Sequence, residues 1–229
     1  MSRIESTVQD LIGLGCQKYC DLGPGKGAIS TGLSAQGRTV IGVEAPWANA
    51  NDFPWADEHG IKIYYEEFFT GDLHRIGSDV DCFVLAHCIA HFRFSPYVLF
   101  KKIFDALPGG GGYFYLSTVN GASFERVMQL YRGDPIVERV SPKLAQRALD
   151  ISKDWNRTDI PQIWDDWMHV KEYTLKEIKD LFTNSGFEIV RASYRNNYPG
   201  WNRAHWKKNL ALKFLPRMAD ELVVIGRKP

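Results

Sequence analysis

The sequence predicts an α/β protein whose central sheet is parallel and doubly wound. Strand-like segments alternate with helical segments over the first half of the chain, an order typical of that fold class. A glycine cluster at residues 23–27 lies between the first of these strands and the helix that follows it. The chain has 229 residues, of which 45% are hydrophobic and 24% charged, so its composition is that of a globular protein and excludes a disordered or fibrous chain.

Strands are predicted where short β-branched or alternating runs are bounded by turn residues. These segments are residues 18–22, 39–43, 61–65, 80–85, 113–117, 187–194 and 221–227. Helices are predicted where apolar residues recur every three to four positions, and Thr174 with Glu177 has the spacing of a capping box. The helical segments are residues 3–13, 28–36, part of 46–59, 95–107 and 174–184.

The alternating pattern stops after the fifth strand. Residues 120–172 are predicted to form an insertion there, because most of the segment is polar and it holds Trp155, Trp164 and Trp167. Such an insertion would cover the edge of the sheet at which open α/β sheets bind their ligands. The aromatic side chains suit a sugar or another planar substrate, and the alternative is a small helical subdomain with tryptophan in its core.

Charge and composition limit the partners and the compartment. The 28 basic and 27 acidic residues give a net charge of +1, which provides no general attraction for nucleic acid. No apolar run is long enough to span a membrane, and the N-terminus lacks the layout of a signal peptide. The four cysteines form no C-x-x-C pair, so we expect a cytoplasmic protein with free thiols.

Residues 191–217 form a basic stretch with seven lysine or arginine residues and no acid. One interpretation is a solvated face of the protein. The other is a patch for an anionic substrate, or for peripheral contact of residues 201–217 with a membrane surface. Aromatic and aliphatic residues interleave with the charges, as in an interfacial helix: Trp201, Trp206, Leu210, Leu212 and Phe214.

The glycine cluster Gly23-x-Gly25-x-Gly27 lets a ligand approach the backbone and leaves helix N–H groups free to bind it. With Ala28 it satisfies the dinucleotide pattern G-x-G-x-x-[G/A], so nicotinamide and adenosyl ligands are both open at this point. Asp21 favours an adenosyl ligand that carries ammonium and sulfonium groups, because a carboxylate would repel a pyrophosphate. Glu44 is placed to accept hydrogen bonds from two ribose hydroxyls. The simpler alternatives are a structural cap for Asp21 and a surface acid for Glu44.

A set of further segments follows this loop in a characteristic order. The segments are KYCDLGPGKG at 18–27, VIGVE at 40–44, DCFVLAHCIAH at 81–91, LPGG at 107–110, STVN at 117–120, and HVKEYT at 169–174 followed by Gly186-Phe187. Together they resemble the class I S-adenosylmethionine (SAM)-dependent methyltransferases, in particular those that act on small molecules and glycans. The resemblance covers most of the chain.

The resemblance implies a Rossmann-like, mostly parallel seven-stranded sheet with flanking helices, an antiparallel last strand and a helical insertion after strand five. It implies one methyltransferase domain over residues 1–229, with SAM as cofactor and no obligatory metal. For the adenine it implies an acid with an apolar neighbour, here Glu67-Phe68, and Asp72 is the competing alignment. The candidate cofactor-binding residues are Asp21, Gly23, Pro24, Gly25, Gly27, Glu44, Ala45, Glu67, Phe68, Ala86 and His87.

Three histidines are candidates for catalysis. His87 directly follows the fourth strand, where cofactor and acceptor would meet, and imidazole is a suitable general base near neutral pH. His91 lies four residues further on, and His169 begins the segment that leads into the late helix. Each has a structural alternative, as a core histidine or as one that fixes a loop. A metal pair formed by His87 and His91 lacks an evident third ligand, so no metal is predicted.

We predict a metal-independent, SAM-dependent methyltransferase that methylates oxygen on a small molecule or on a glycan or nucleotide-sugar intermediate. No Asn-Pro-Pro-Tyr stretch follows the fourth strand, which disfavours amino-group methylation of nucleic acid or of protein glutamine. Two alternatives stay open. One is an NAD-dependent oxidoreductase that uses the same loop, and the other is a non-catalytic module that retains the cofactor fold.

Overall fold

The computed structural model describes residues 2–46, 48–77, 79–92, 95–136, 169–196 and 206–229. Its centre is a seven-stranded sheet in the order β3-β2-β1-β4-β5-β7-β6. Strand β7 runs antiparallel to both of its neighbours, and the other strand pairs are parallel. The strands are β1 Lys18–Leu22, β2 Thr39–Glu44, β3 Lys62–Tyr65, β4 Cys82–Ala86, β5 Tyr113–Val119, β6 Glu188–Arg195 and β7 Glu221–Arg227. The predicted Rossmann-like sheet with an antiparallel last strand is therefore confirmed.

Helices flank this sheet within the described part of the chain. Two of them begin with the capping box that their sequences contain, formed by Ser2 with Glu5 and by Thr174 with Glu177. Helix α4 was not predicted from the sequence, and it is only five residues long. The helices are α1 Arg3–Ile12, α2 Ala28–Ser34, α3 Pro54–Glu58, α4 Leu73–Gly77, α5 Tyr97–Ala106, α6 Phe124–Tyr131, α7 Leu175–Asn184 and α8 Trp206–Phe214.

Both faces of the sheet are buried. Successive residues of a strand point to opposite faces, and in β4 Phe83 and Leu85 belong to one buried cluster while Val84 belongs to the other. In the first cluster Phe114 of β5 stacks on Phe182 of α7, with ring centroids 4.9 Å apart. Burial on both faces explains why the central strands are almost continuously apolar.

The carboxyl ends of β1 to β5 lie along one edge of the sheet, which we call the C-terminal edge. Strand β6 also ends there and β7 begins there, because Arg195 pairs with Glu221 in the ladder between these two strands. The connection between them is tied to β5, since the Asn120 side chain donates hydrogen bonds to the carbonyls of Arg217 and Ala219 at 2.9 and 2.7 Å. Ligands of open α/β sheets bind at this edge.

The predicted insertion is described only at its two ends. Helix α6 follows β5, and a parallel bridge pairs Asn120 with Tyr173 at the far end of the segment. Trp155, Trp164, Trp167 and Trp201 lie outside the described residues. No helix in the described ranges is long and apolar enough to cross a membrane.

Candidate functional site

The glycine loop between β1 and α2 lies at the C-terminal edge, and its backbone requires glycine. Gly23, Gly25 and Gly27 have φ values of 74°, 52° and 73°, in the left-handed region that L side chains rarely adopt. A Cβ atom at Gly23 would lie 3.0 Å from Cys88 Sγ, whereas nothing lies within 4 Å of one at Gly25. Within the described part of the chain, the middle of the loop therefore faces open space.

Trp55 of α3 closes one side of this loop. Its Nε1 donates a hydrogen bond to the carbonyl of Gly25 at 3.2 Å, and a Cβ atom at Gly27 would overlap the indole ring. Trp55 was not among the predicted site residues, because nothing in the local pattern of α3 indicates that this side chain reaches a loop about 30 residues earlier.

Asp21 lies in β1, directly behind the loop, with 2% of its surface exposed. Its one side-chain hydrogen bond within the described residues comes from Ser30 Oγ of α2, at 2.6 Å. Burial raises the pKa of Asp21 to about 6, an effect that the Ser30 hydrogen bond partly offsets and the charge of Glu44 reinforces. A buried carboxylate with so few donors would be stabilised by a cationic group.

The other candidate acids differ in the hydrogen bonds that their carboxylate oxygens accept from the protein. Glu44 ends β2, is partly exposed and accepts a hydrogen bond from the Ala45 amide at 3.0 Å. Glu67 Oε2 accepts hydrogen bonds from the amides of Phe69 and Thr70 at 2.8 and 2.7 Å, so this oxygen caps its own turn. Asp72 has a similar local role, because its carboxylate accepts from the Arg75 amide at 3.1 Å.

His87 follows β4 and has a φ of 55°, the only positive value at a non-glycine position in the described residues. Its amide donates to the carbonyl of Ser117 at 2.8 Å, which extends the ladder with β5. Its ring is directed toward β7, where Nε2 lies 2.6 Å from Glu221 Oε1. The Glu221 carboxylate is wholly buried, whereas about a quarter of the His87 side chain is exposed.

Glu221 is in turn supported by Arg195 of β6. Arg195 Nη1 lies 3.4 Å from Glu221 Oε2, and the guanidinium also donates to Asp10 of α1 and to the Tyr115 hydroxyl. The order along this chain of contacts is Asp10, Arg195, Glu221 and His87, so charges alternate toward the imidazole. Sequence reasoning missed Glu221 and Arg195, and the available signal was a glutamate at the head of the apolar strand 221–227.

The structure brings the other two candidate histidines together. The amide of Val170 donates to the carbonyl of Ala90 at 2.7 Å, and the rings of His91 and His169 make an edge contact with centroids 5.0 Å apart. His169 Nδ1 lies 2.8 Å from Oε1 of the buried Glu172. Arg126 of α6 holds the same carboxylate with Nε at 2.7 Å from Oε2 and Nη2 at Oε1.

Two histidines at this edge thus share one arrangement, in which a partly exposed imidazole meets a buried glutamate that an arginine supports. Such pairs hold an imidazole in a fixed orientation. Among the described residues, no group of three or more histidine, cysteine or acidic side chains could hold a metal ion.

The sequence of this chain matches a known protein-family model. A family described as a methyltransferase domain matches residues 10–192, which include the glycine loop, all three candidate histidines, strands β1 to β5 and the first part of β6. The chain belongs to this family. It is a SAM-dependent methyltransferase, and the predicted cofactor is confirmed. The family match favours the adenosyl ligand over the nicotinamide alternative.

Solved structures agree on the fold of this methyltransferase at low sequence identity. A SAM-dependent methyltransferase from Archaeoglobus fulgidus is 14% identical, with a TM-score of 0.61 over 98% of this chain and 93% of its own. Human N-acetylserotonin methyltransferase in complex with SAM is 15% identical, with a TM-score of 0.56 over 98% of this chain. The present chain spans 51% of the human protein's chain.

A third structure is an N1-methyltransferase from Burkholderia thailandensis with bound 1,6-didemethyltoxoflavin and S-adenosylhomocysteine. It is 14% identical, with a TM-score of 0.58 over 98% of this chain and 76% of its own. No curated protein sequence matches the chain.

Proposed function

We propose that this methyltransferase transfers a methyl group to a hydroxyl oxygen of a small molecule, such as a glycan or nucleotide-sugar intermediate. The observation that supports oxygen as the acceptor atom is the hydrogen bond of 2.6 Å between His87 and the buried Glu221. A hydroxyl must lose a proton when it is methylated, and an imidazole supported by a carboxylate is suited to accept that proton.

The cofactor would lie over the glycine loop, with its ammonium group at Asp21 and its ribose hydroxyls at Glu44. The fit rests on two features of the structure, the buried carboxylate of Asp21 and the open space above Gly25 within the described residues. The backbone of Gly23, Pro24, Gly25 and Gly27 would line the same cleft with Ala45, Glu67, Phe68, Ala86 and His87. When bound, SAM supplies an electrophilic methyl group on a positively charged sulfur.

His87 would be the general base, and Glu221 would position it. Glu221 would accept the hydrogen bond as a carboxylate, the form that can pair with Arg195, and His87 Nε2 would donate it. The neutral imidazole then carries its lone pair on Nδ1, which is the atom that would take the hydroxyl proton. The resulting imidazolium would be stabilised by Glu221. Because a side chain supplies the base, the proposed reaction needs no metal ion.

His91 and His169 would orient the acceptor. Glu172 accepts from His169 Nδ1, which leaves Nε2 of that ring to accept a hydrogen bond from an acceptor hydroxyl. The His91 ring is in edge contact with the His169 ring, so His91 would lie beside the same hydroxyl.

All four cysteines are free thiols, which agrees with a reducing, cytoplasmic location.

Acceptor chemistry is tested with a panel of phenols, hydroxy acids and nucleotide sugars, each paired with its amino analogue. Purified protein is incubated with SAM, and formation of S-adenosylhomocysteine is measured. We expect turnover with hydroxyl acceptors. Turnover with the amino analogues alone would overturn the assignment to oxygen.

The role of His87 is tested on the best acceptor with His87→Asn, and the matched control is His74→Asn on the exposed surface of α4. His87→Asn should lower kcat by about 10²–10⁴-fold, the range for loss of a general base, while SAM affinity measured by calorimetry changes little. The control should retain full turnover. Near-normal turnover of His87→Asn would exclude this histidine as the base.

A further inference from the structure

Helix α8 lies in the connection between β6 and β7, at the same edge of the sheet as the glycine loop. Lys208 fixes which face of this helix points toward the protein. Its side chain is 3% exposed, and Nζ pairs with Asp220 Oδ1 and with Glu125 Oε1, the latter at 3.0 Å. A buried lysine that meets two carboxylates resists rotation of the helix, because any rotation would leave these charges unpaired.

The opposite face of α8 is apolar and basic. Trp206, Leu210 and Phe214 follow one another at intervals of four residues, and 49%, 43% and 77% of their surfaces are exposed. Residues four apart lie on one face of a helix, so these side chains form a single stripe. The flanking cations Lys207, Lys213 and Arg217 are also exposed, and residues 206–217 contain no acid. We call this set of six residues the α8 surface.

Exposed apolar side chains are more concentrated in this region than elsewhere in the described structure. Of the 14 large hydrophobic residues exposed in the described structure, seven lie in residues 124–131 and 206–215. Those in the first range are Val127, Leu130 and Tyr131 of α6, the helix that the Glu125–Lys208 ion pair ties to α8. Scattered single residues need no explanation, whereas concentrated ones mark contact surfaces.

The charge pattern distinguishes this surface from other exposed helices. On α7 the exposed residues carry both signs, and Lys176 pairs with Asp180 one turn away at 2.7 Å. On the α8 surface, by contrast, all charged residues are positive. Lys207 Nζ is 5.7 Å from the centroid of the Trp206 ring.

We propose that the α8 surface docks on an anionic phospholipid bilayer. The tryptophan, leucine and phenylalanine side chains would enter the boundary between headgroups and acyl chains, while the three cations contact lipid phosphates. A nucleic acid would use the cations but would leave the aliphatic side chains in water, so the apolar stripe favours lipid. Docking would bring the C-terminal edge of the sheet toward the bilayer. This inference does not depend on the base assigned above, because binding is measured without turnover.

The test is cosedimentation of the full chain with phosphatidylcholine vesicles, with and without a quarter of phosphatidylglycerol, at about 0.1 M salt. Binding should require the anionic lipid and weaken as salt rises. The double variant Lys207→Glu/Lys213→Glu should reduce binding about tenfold or more, since each cation near an anionic surface contributes several-fold to affinity. The matched control Lys176→Glu/Lys179→Glu makes the same change of net charge on α7 and should bind as the parent does.

A second variant, Trp206→Ser/Phe214→Ser, separates lipid insertion from simple charge attraction. It keeps every cation, and it should also lose most of the binding because the apolar contacts are gone. SAM affinity by calorimetry and thermal unfolding establish that each variant is folded. Three results would overturn the proposal: no binding to anionic vesicles, equal losses in the α7 control, or unchanged binding of the serine variant.

Discussion

His87 Nε2 lies 2.6 Å from Glu221 Oε1, although 134 residues separate the two in sequence. The contact spans β5, which lies between β4 and β7 in the sheet. A left-handed backbone at His87 is part of this arrangement, and such a conformation costs a non-glycine residue about 1–3 kcal/mol. The surrounding structure must compensate for this strain. Strain of that kind concentrates at functional sites, which agrees with the role proposed for the pair.

Glu221→Gln is expected to lower kcat by about 10²-fold, within the range for groups that take part in general base catalysis, with little change in KM for SAM. The amide keeps the size of the side chain but removes the charge that would stabilise protonated His87. Steady-state kinetics on the best acceptor measure this split. Nitrogen-15 NMR of the histidine rings adds a readout without turnover, because the proton should move from Nε2 in the parent to a mixture of both tautomers.

Glu188→Gln is the matched control for that variant. Glu188 is an exposed acid on β6 and pairs with Arg227 at 3.3 Å, far from the candidate site in the ladder. It should leave kcat and the His87 tautomer unchanged. A Glu221→Gln enzyme with the kinetics of this control would limit Glu221 to a structural role.

Asp21→Asn should bind SAM more weakly and yet unfold at higher denaturant concentration than the parent near pH 7.5. Burial raises the pKa of Asp21 to about 6 in the folded protein from 3.8, so the ionised form destabilises the fold above that pH by about 1–3 kcal/mol. Asparagine removes this cost and can still accept the hydrogen bond from Ser30. The gain in stability should shrink as the pH falls through 6. It should disappear below about 4, where the Asp21 carboxyl of the parent is protonated and therefore uncharged in the folded and the unfolded protein.

Urea unfolding at several pH values, with SAM calorimetry at pH 7.5, measures both parts of that prediction. Asp57→Asn, a change on the exposed surface of α3, is the control for loss of one negative charge. Unchanged SAM affinity in Asp21→Asn would remove Asp21 from the cofactor site. A stability gain that is equal at all pH values would show that burial of its charge is not the cause.

Much of the scaffold could be predicted from the sequence because its signals are local. The glycine loop is specified by three residues that must have positive φ values, and the helix at 175–184 begins at the capping box formed by Thr174 and Glu177. The buried strands can be predicted from their apolar runs, because both faces of the sheet are covered. Each of these signals is contained within about ten residues.

The partners of His87 and of Glu172 could not be predicted, because they come from distant parts of the chain. Glu221 reaches His87 across a strand, and Arg126 reaches Glu172 from a helix 46 residues earlier. A single sequence shows that such residues are charged, and it does not show that they are buried. Trp55 was missed for the same reason, since its contact with the glycine loop depends on how α3 packs beside β3.

Arg126→Met should destabilise the protein by about 2–4 kcal/mol. Among the described residues, His169 alone would then hold the buried Glu172 carboxylate, and breaking a buried ion pair typically costs about 3–5 kcal/mol. We place the value toward the lower end because a quarter of the Arg126 side chain is exposed. Urea denaturation at pH 7.5 measures the loss.

The double variant Arg126→Met/Glu172→Gln tests this explanation. It removes the buried charge together with its partner, so part of the stability lost in Arg126→Met should return. Additive losses from the two single changes would mean that the two side chains do not interact as the structure places them.

Gly27→Ala should destabilise the protein more than Gly37→Ala, although both residues have a φ of 73°. The added methyl group meets nothing within 4 Å at Gly37, so that variant should cost only the left-handed strain, about 1 kcal/mol. At Gly27 the methyl group would also overlap the Trp55 indole, and overpacking adds about 1–3 kcal/mol. Adding Trp55→Ala to Gly27→Ala should remove this second part, which urea unfolding of the four proteins in the cycle resolves as a coupling between the two positions. Equal costs at Gly27 and Gly37, or no coupling to Trp55, would mean that the indole does not lie over the loop in solution.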